Sequence, residues 1–276
     1  MYVLEEIATH KRGLIEIKDQ AGGKWVLERE VLKPFLNNVT VSTFEHPVSH
    51  HWLVFPYQLI NDKATLIPSS DMASSYPRTW EYLKENSKAL RSRESGKADN
   101  DQWYGYIYRK NLTLFDTPKL IVQVISLLGR YAYDDTGLYF SGGGNGPYYG
   151  IRWKEQDNPH SLHYLQALLN SRLVDWYLHQ ISSPFRGGYW SYGKRFIEQL
   201  PFHNINFTNP GDKSRHDKMV ELVEQMLTLH KQLAAAKTPD DKTRLQRQID
   251  ATDHQIDQLV YELYGLTDNE IRIVEK

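Results

Sequence analysis

Several features that define common classes of protein are missing from this sequence. Among its 276 residues there is no cysteine, which excludes disulfide bonds and thiolate-bound metal ions and fits a reducing compartment. No apolar run approaches the roughly 20 residues that a membrane-spanning helix requires, and the first residues lack the apolar segment of a signal peptide. We therefore expect a cytoplasmic protein with no membrane partner.

An excess of charge of one sign is also missing. The chain has 33 lysines and arginines against 34 aspartates and glutamates, a formal net charge of -1. Because phosphate contacts require cations, a nucleic-acid site would have to be a local basic patch. The hydrophobic fraction of 40% is sufficient for a core, and the length indicates one large domain or one domain with an appendage.

Catalytic motifs are scarce. The glycines of "SGGGNG" (residues 141–146) lack the lysine of a P-loop and the spacing of a dinucleotide fingerprint, which favours a loop between strands. Glu16 and Lys18 in "IEIK" match half of a metal-dependent nuclease site, but no Pro-Asp pair precedes them. The paired histidines lack carboxylates at ligand spacing. We predict no catalytic residue, metal site or cofactor in this chain, and keep a stand-alone nuclease as an alternative.

The first two thirds of the sequence predict mixed strands and helices. "GLIEIKD" and "KWVLERE" flank "QAGG", which indicates a hairpin. "REVLKPFL" is interpreted as a short helix that ends near Pro34. Further along, "PKLIVQVIS" is typical of a buried strand. Two helices are predicted from "YPRTWEYLKENSKALRSRES" and "NPHSLHYLQALLNSRLVDWYLHQIS".

The last 70 residues have a different pattern. Apolar residues recur at steps of three and four in two segments joined by "AKTPDDK", which predicts an antiparallel helical hairpin. The predicted fold is therefore α+β: a mixed sheet with packed helices in residues 1–206, followed by the hairpin in residues 207–276. Extra apolar positions at Val220, Val223 and Leu227 predict a second contact face on the hairpin.

The order of motifs along the chain is informative. "WLVFPY", "WYGYIYRK", "YLQALLNSRLVDWYLHQIS" and "RGGYWSYGKRFIEQLPF" follow one another, with the clearest positions at Leu169, Asn170, Ser171, Leu200 and Pro201. This succession resembles the TaqI-like C-terminal specificity domain. That domain is the target-recognition part of adenine-specific DNA methyltransferases and of fused type II restriction-modification enzymes.

The resemblance implies sequence-specific binding of duplex DNA, with methyl transfer carried out elsewhere. The glycine-rich S-adenosylmethionine loop and the Asn-Pro-Pro-Tyr motif of the full enzymes do not occur, and "NGPYYG" lacks the double proline. We expect S-adenosylmethionine in a methyltransferase catalytic domain, in cis or in trans, and no methyl transfer by this chain alone. The hairpin could support the recognition domain, dock the catalytic domain or form a homodimer.

The segment "SSPFRGGYWSYGKRFIEQLPF" (residues 182–202) is the strongest candidate for a DNA-facing surface. It combines three aromatic rings within residues 189–192, two adjacent glycines and three cations. Arginine can bind guanine or phosphate, and glycine lets a backbone approach a strand closely. We expect one or two of the rings of Tyr189, Trp190 and Tyr192 in the core. The candidate DNA-binding residues are Arg91, Arg93, Arg109, Lys110, Arg186, Gly187, Gly188, Tyr189, Lys194 and Arg195.

Two of these candidates have a simple structural alternative. Arg91 and Arg93 close a predicted helix, where a cation is favourable against the helix dipole. The function also has alternatives. The chain could be a protein-interaction subunit that acts through the hairpin, the nuclease noted above, or a carbohydrate-binding module.

Overall fold

The structure is a computed structural model, and it describes residues 2–11, 13–142, 146–155 and 157–276. The strands in chain order are β1 (Val3–His10), β2 (Leu14–Lys18), β3 (Lys24–Glu28), β4 (Leu32–Leu36), β5 (His51–Val54), β6 (Tyr57–Ile60), β7 (Lys63–Leu66), β8 (Lys119–Gln123), β9 (Ile125–Ser126), β10 (Tyr131–Asp134), β11 (Tyr139–Phe140), β12 (Tyr148–Ile151), β13 (Pro184–Phe185) and β14 (Tyr189–Ser191).

The helices are α1 (Ser69–Ser75), α2 (Pro77–Glu85), α3 (Ser87–Arg91), α4 (Arg93–Gly96), α5 (Leu162–Asn170), α6 (Arg172–Ile181), α7 (Lys194–Ile197), α8 (Pro210–Ala235), α9 (Pro239–Tyr264) and α10 (Asp268–Val274). The predicted α+β class is confirmed. None of the helices in the described part of the chain combines the length and the apolar character that crossing a bilayer requires.

The chain forms two compact units. The first comprises Met1–Val39, Val48–Pro118 and Asp135–Phe140, and the second comprises Thr40–Pro47, Lys119–Asp134 and Ser141–Lys276. The domain boundary that the sequence predicts near residue 207 falls inside the second unit, and it stays a prediction.

The first unit is built on a six-stranded sheet in the order β11-β4-β5-β1-β2-β3. β11 and β4 are parallel, whereas the other neighbours are antiparallel, so the sheet is mixed as predicted. In β2, Ile15 and Ile17 are fully buried and alternate with Glu16 and Lys18. The predicted β2–β3 hairpin is confirmed.

Two sequence predictions for this unit are wrong in detail. "REVLKPFL" forms a single 3-10 turn and then β4, because Leu32 and Leu36 are buried and β4 pairs with β5. The helix predicted from residue 76 onward is divided into α2, α3 and α4. Glu94 and Ser95 have positive φ angles of 50° and 57°, which an uninterrupted helix of L-residues does not adopt.

The second unit contains two three-stranded sheets, β10-β8-β12 and β13-β14-β9. The long helix predicted before Ser182 is two helices, because Ser171 is extended and its Oγ accepts the Val174 N–H as the N-cap of α6. The predicted helical hairpin is confirmed as α8 and α9. Val223 is fully buried and packs in one cluster with Tyr164 and Leu168 of α5. Of the predicted second contact face of the hairpin, Val223 is therefore covered within this unit, and Val220 and Leu227 are partly buried against the same cluster.

Candidate nucleic-acid interface

The candidate interface is built on the small sheet β13-β14-β9. β13 and β14 form a hairpin in which Phe185 pairs with Tyr189, so Arg186, Gly187 and Gly188 make the connecting turn. Both glycines have positive φ angles, 87° and 82°. Since L side chains are strained there, the turn requires the Gly-Gly pair.

The base of this hairpin is held on α6 by side-chain contacts. The Tyr192 hydroxyl donates to Asp175 Oδ1 at 2.7 Å, and the Gly129 N–H donates to the same oxygen at 2.8 Å. His179 Nε2 lies 3.0 Å from the Tyr192 hydroxyl, and its ring stacks on Trp190 with centroids 4.5 Å apart. Burial, with the Asp175 charge second, raises the pKa of Tyr192 well above its usual value, which keeps the hydroxyl protonated as a donor.

The tip of the hairpin is exposed. Arg186 makes no hydrogen bond or ion pair with any described residue. Its neighbours Phe185 and Tyr189 have 46% and 41% of their surface exposed, whereas Tyr192 is fully buried. One ring of the aromatic trio is therefore in the core and Tyr189 is at the surface, as predicted. The result is an unpaired guanidinium on a glycine turn above an anchored base.

Lys194 and Arg195, the other candidates in this segment, lie on α7. Lys194 Nζ is 3.3 Å from Glu198 Oε1, and both side chains are largely exposed. The Arg195 guanidinium lies over the Phe196 ring and reaches Ser183 Oγ at 3.3 Å. These exposed contacts are weak in water, so both cations remain available to a phosphate.

The four candidates of the first unit are engaged to different degrees. The Arg93 guanidinium donates to the carbonyls of Leu90, Trp103 and Gly105, so it holds its own loop together. Arg91 pairs with Asp99 at 2.8 Å, and Arg109 donates to Gln102 Oε1 at 2.8 Å. Lys110 is exposed and has no polar partner among the described residues.

The signature residues before the hairpin are structural. Asn170 Oδ1 accepts the Tyr131 N–H at 2.8 Å, and Asn170 Nδ2 donates to the Tyr131 carbonyl at 3.0 Å. Ser171 Oγ caps α6 and donates to the Leu168 carbonyl. Asn170 therefore bonds α5 to the β10 backbone, and Ser171 bonds the end of α5 to the start of α6.

The histidines and carboxylates singled out in the sequence outside the hairpin make local contacts. The Ile205 N–H donates to His160 Nε2, and the Ser161 N–H donates to His216 Nε2. Glu16 Oε2 is 3.1 Å from His10 Nε2. Within the described ranges, no three His, Asp or Glu side chains are grouped as metal ligands. Residues 143–145 of "SGGGNG" lie outside the described residues, and Asn145 is also the first residue of "NGPYYG".

Sequence reasoning missed one neighbour of the hairpin. Arg130 acts electrostatically on the Tyr192 hydroxyl and has no ion-pair partner in the described part of the chain. It directly follows Gly129, where a Cβ would lie 2.8 Å from Asp175 Oδ1. The signal was available in "SLLGR", which carries a cation and no acidic residue.

Comparisons with known proteins add to this geometry. Residues 72–202 match the model of the TaqI-like C-terminal specificity domain. The chain is 26% identical to the "Type II restriction enzyme and methyltransferase RM.Eco57I" of Escherichia coli, over 99% of this chain and 28% of that protein. It is 26% identical to the "Type II methyltransferase M.XhoI" of Xanthomonas vasicola, over 53% of this chain and 26% of that protein.

A third relative is the "Type II methyltransferase M.BstVI" of Geobacillus stearothermophilus. It is 22% identical over 90% of this chain and 37% of that protein. The chain therefore spans between about a quarter and two fifths of the length of the relatives it matches.

Proposed function

Because residues 72–202 belong to the TaqI-like C-terminal specificity domain family, we propose that this chain recognises a short sequence in duplex DNA. Within a restriction-modification system it would supply sequence recognition to an adenine-specific methyltransferase. The relatives are named as type II methyltransferases, one of them also as a restriction enzyme, which supports this assignment.

The observation that carries the proposal is the unpaired Arg186 on the glycine turn. A two-stranded β-ribbon fits the major groove of B-DNA, and arginine binds the O6 and N7 atoms of guanine bidentately. Arg186 has no acidic neighbour within residues 176–197 of the sequence. Its anchored base limits the motion of the tip, which lowers the entropy lost on binding.

The remaining candidates divide into two groups by their contacts. Lys110, Lys194 and Arg195 are exposed, with at most weak partners, and are proposed to bind phosphates. Gly187 and Gly188 would let the backbone approach a strand, and Tyr189 would lie against it. Arg91, Arg93 and Arg109 already bond within the first unit and are proposed to contribute less.

Catalysis is proposed to reside in a methyltransferase domain in cis or in trans, which would bind S-adenosylmethionine. The same enzyme would either methylate its site only, as two of the relatives are named, or also cleave DNA, as one of them is named. A homodimer through α8 and α9 is a further proposal. Against it, Val223 is fully buried in one cluster with residues of α5. If the wild-type chain is a monomer by its mass in solution, substituting Val223 and Leu227 with Asp should lower the melting temperature only. If the wild-type chain is a dimer, the same substitutions should also reduce the mass to that of a monomer.

A binding selection tests the proposal. The purified chain is mixed with random-sequence duplexes at two salt concentrations, and the bound fraction is sequenced. We expect one short motif to be enriched and the affinity to fall as salt rises, because bound cations displace counterions. The absence of binding at low salt would contradict the proposal and favour a protein-interaction subunit.

A further inference from the structure

The small sheet has one apolar face that the fold leaves uncovered. Ser191 pairs with Ile125 and Phe185 with Tyr189, and directly paired residues project to the same face. Continuing the β14–β9 register by one residue places Leu127 opposite Tyr189. Ile125, Leu127, Phe185 and Tyr189 therefore share a face, and each is more than 40% exposed.

The opposite face of the same sheet is covered at Trp190 and Ser126, whereas Pro184 at its edge is exposed. Trp190 pairs with Ser126 and with Pro184, which places these three residues on the other side. There the Trp190 ring stacks on His179 of α6, and Ser126 is buried. The sheet is thus anchored on one side and open on the other.

This concentration of apolar surface is unusual within the chain. These four side chains, together with Leu128 of the adjoining loop, are five of the eleven large hydrophobic side chains that are exposed in the described residues. Exposed apolar patches of this kind mark binding surfaces. We call Ile125, Leu127, Phe185 and Tyr189 the apolar face.

The charges around the apolar face indicate what covers it. Residues 124–130 and 182–195 contain the cations Arg130, Arg186, Lys194 and Arg195 and no acidic residue. Glu198, further along the same segment, lies 3.3 Å from Lys194 Nζ in a pair whose side chains are both largely exposed. Asp175, beneath the sheet, is largely buried and bonded to Tyr192. An occupant that is anionic and also presents apolar groups complements this surface, and duplex DNA with its thymine methyl groups has both properties.

We propose that the apolar face contacts the C5-methyl groups of thymines in the major groove, beside the position contacted by Arg186. The inference rests on the proposed function and specifies what the site reads. The outer strands of a three-stranded sheet lie about 10 Å apart, which fits the roughly 12 Å major groove and not the roughly 6 Å minor groove. Thymine is distinguished there by its methyl group.

A deoxyuridine scan of the selected duplex tests this without altering the protein. Deoxyuridine keeps the base pair of thymine and removes only the methyl group. Replacing each thymine in turn should lower the affinity of the wild-type chain at one or more positions, by about fourfold for each buried methyl. No effect at any position, or a selected motif without thymine, would overturn the inference.

Two variants identify the residues that make the contact. Leu127→Ala and Phe185→Ala should each weaken binding to the thymine duplex. Each should also make binding insensitive to deoxyuridine at one position, so that the effects of removing the side chain and the methyl group are not additive. Ile60→Ala is the matched control, since Ile60 is 52% exposed on β6 of the first unit, and its substitution should change neither property. Melting temperatures report whether each variant is folded.

The outcomes separate this inference from the proposed function. If Arg186→Ala weakens salt-dependent binding while the deoxyuridine scan and the two variants have no effect, DNA recognition stands and the methyl contact is wrong. If the wild-type chain binds no duplex at any salt concentration, both proposals are overturned.

Discussion

Arg93 in the first unit and Arg186 in the second differ in what their guanidinium groups contact. In the first unit, Arg93 donates to three backbone carbonyls and lies 5.1 Å over the Tyr2 ring. In the second unit, Arg186 projects from a glycine turn with no polar partner among the described residues. Both roles are open to an arginine side chain, because its five N–H donors can bind groups of the fold or remain available to a ligand.

This difference separates structural cations from cations available for binding. An engaged guanidinium would have to lose its present hydrogen bonds before it could bind DNA, whereas a solvated one loses only water. Substitution should therefore lower stability in the first case and DNA affinity in the second. The predictions below test that separation, beginning with the most strongly engaged cation.

Lys119 is the extreme case of an engaged cation. Its Nζ is 2.5 Å from Asp134 Oδ2, and the two side chains are 4% and 1% exposed. Lys119→Met should destabilise the chain by about 3–5 kcal/mol, because it leaves the Asp134 carboxylate buried without its cation. Chemical denaturation measures the change. Combining it with Asp134→Leu should recover part of the loss, and a double variant no more stable than Lys119→Met would contradict this account.

Arg93→Ala should destabilise the chain by roughly 2–3 kcal/mol, because three carbonyls lose a charged donor. Arg93→Lys should recover only part of this, since an ammonium cannot reproduce the planar fork. Thermal unfolding of the two variants measures both effects. A melting temperature equal to that of the wild type, accompanied by lost DNA binding, would move Arg93 to the group of binding residues.

Arg91→Ala should have a much smaller effect. Its ion pair with Asp99 is solvent-exposed on both sides, and exposed pairs contribute less than about 1 kcal/mol. We expect a melting temperature close to the wild-type value and unchanged DNA affinity. A large loss of either would show that exposure alone does not separate the two groups.

His160 extends the comparison to a side chain that the fold keeps neutral. Its Nε2 accepts the Ile205 N–H, and burial, with the charge of His216 second, lowers its pKa from 6.5. The unfolded chain therefore binds more protons than the folded chain as the pH falls. The contribution of neutral His160 to the free energy of unfolding is complete above about pH 6.5 and is lost at lower pH. Asp257, whose pKa is raised by burial to about 6, has the opposite slope.

The measurement that isolates His160 is therefore a difference. The free energy of unfolding is compared between the wild type and His160→Gln from pH 7.5 down to about pH 5. Glutamine can accept the Ile205 N–H and does not titrate, so its advantage over histidine should grow as the pH falls. A constant difference across that range would contradict the assignment of a neutral His160.

Much of the fold could be predicted from the sequence, because some patterns are local. The β2–β3 hairpin follows from alternation around "QAGG", and α8–α9 follow from steps of three and four. β4 was missed because its pairing with β5, a distant segment, overrides the local preference of "REVLKPFL". The break at Ser171 depends on a single serine that could equally have stayed inside a helix.

The site was predictable only in part for the same reason. The Gly-Gly turn and the exposed Arg186 follow from the residues themselves. The engagement of Arg93 could not be foreseen, because its partners Trp103 and Gly105 lie 10 and 12 residues away in an irregular segment. The open face of β13-β14-β9 depends on the strand register, which pairs residues more than 60 positions apart. The hydrophobic pattern of such short strands does not specify that register.

The most direct test of the central claim is the salt dependence of DNA binding by Arg186→Ala, measured beside Arg247→Ala. Arg247 is an equally unpaired exposed arginine on α9 in the described part of the chain, so both variants change the net charge by the same amount. Arg186→Ala should weaken binding about tenfold at an unchanged melting temperature, as loss of a bidentate contact implies, whereas Arg247→Ala should bind as the wild type does. Equal affinities for Arg186→Ala and the wild type at every salt concentration would contradict the claim.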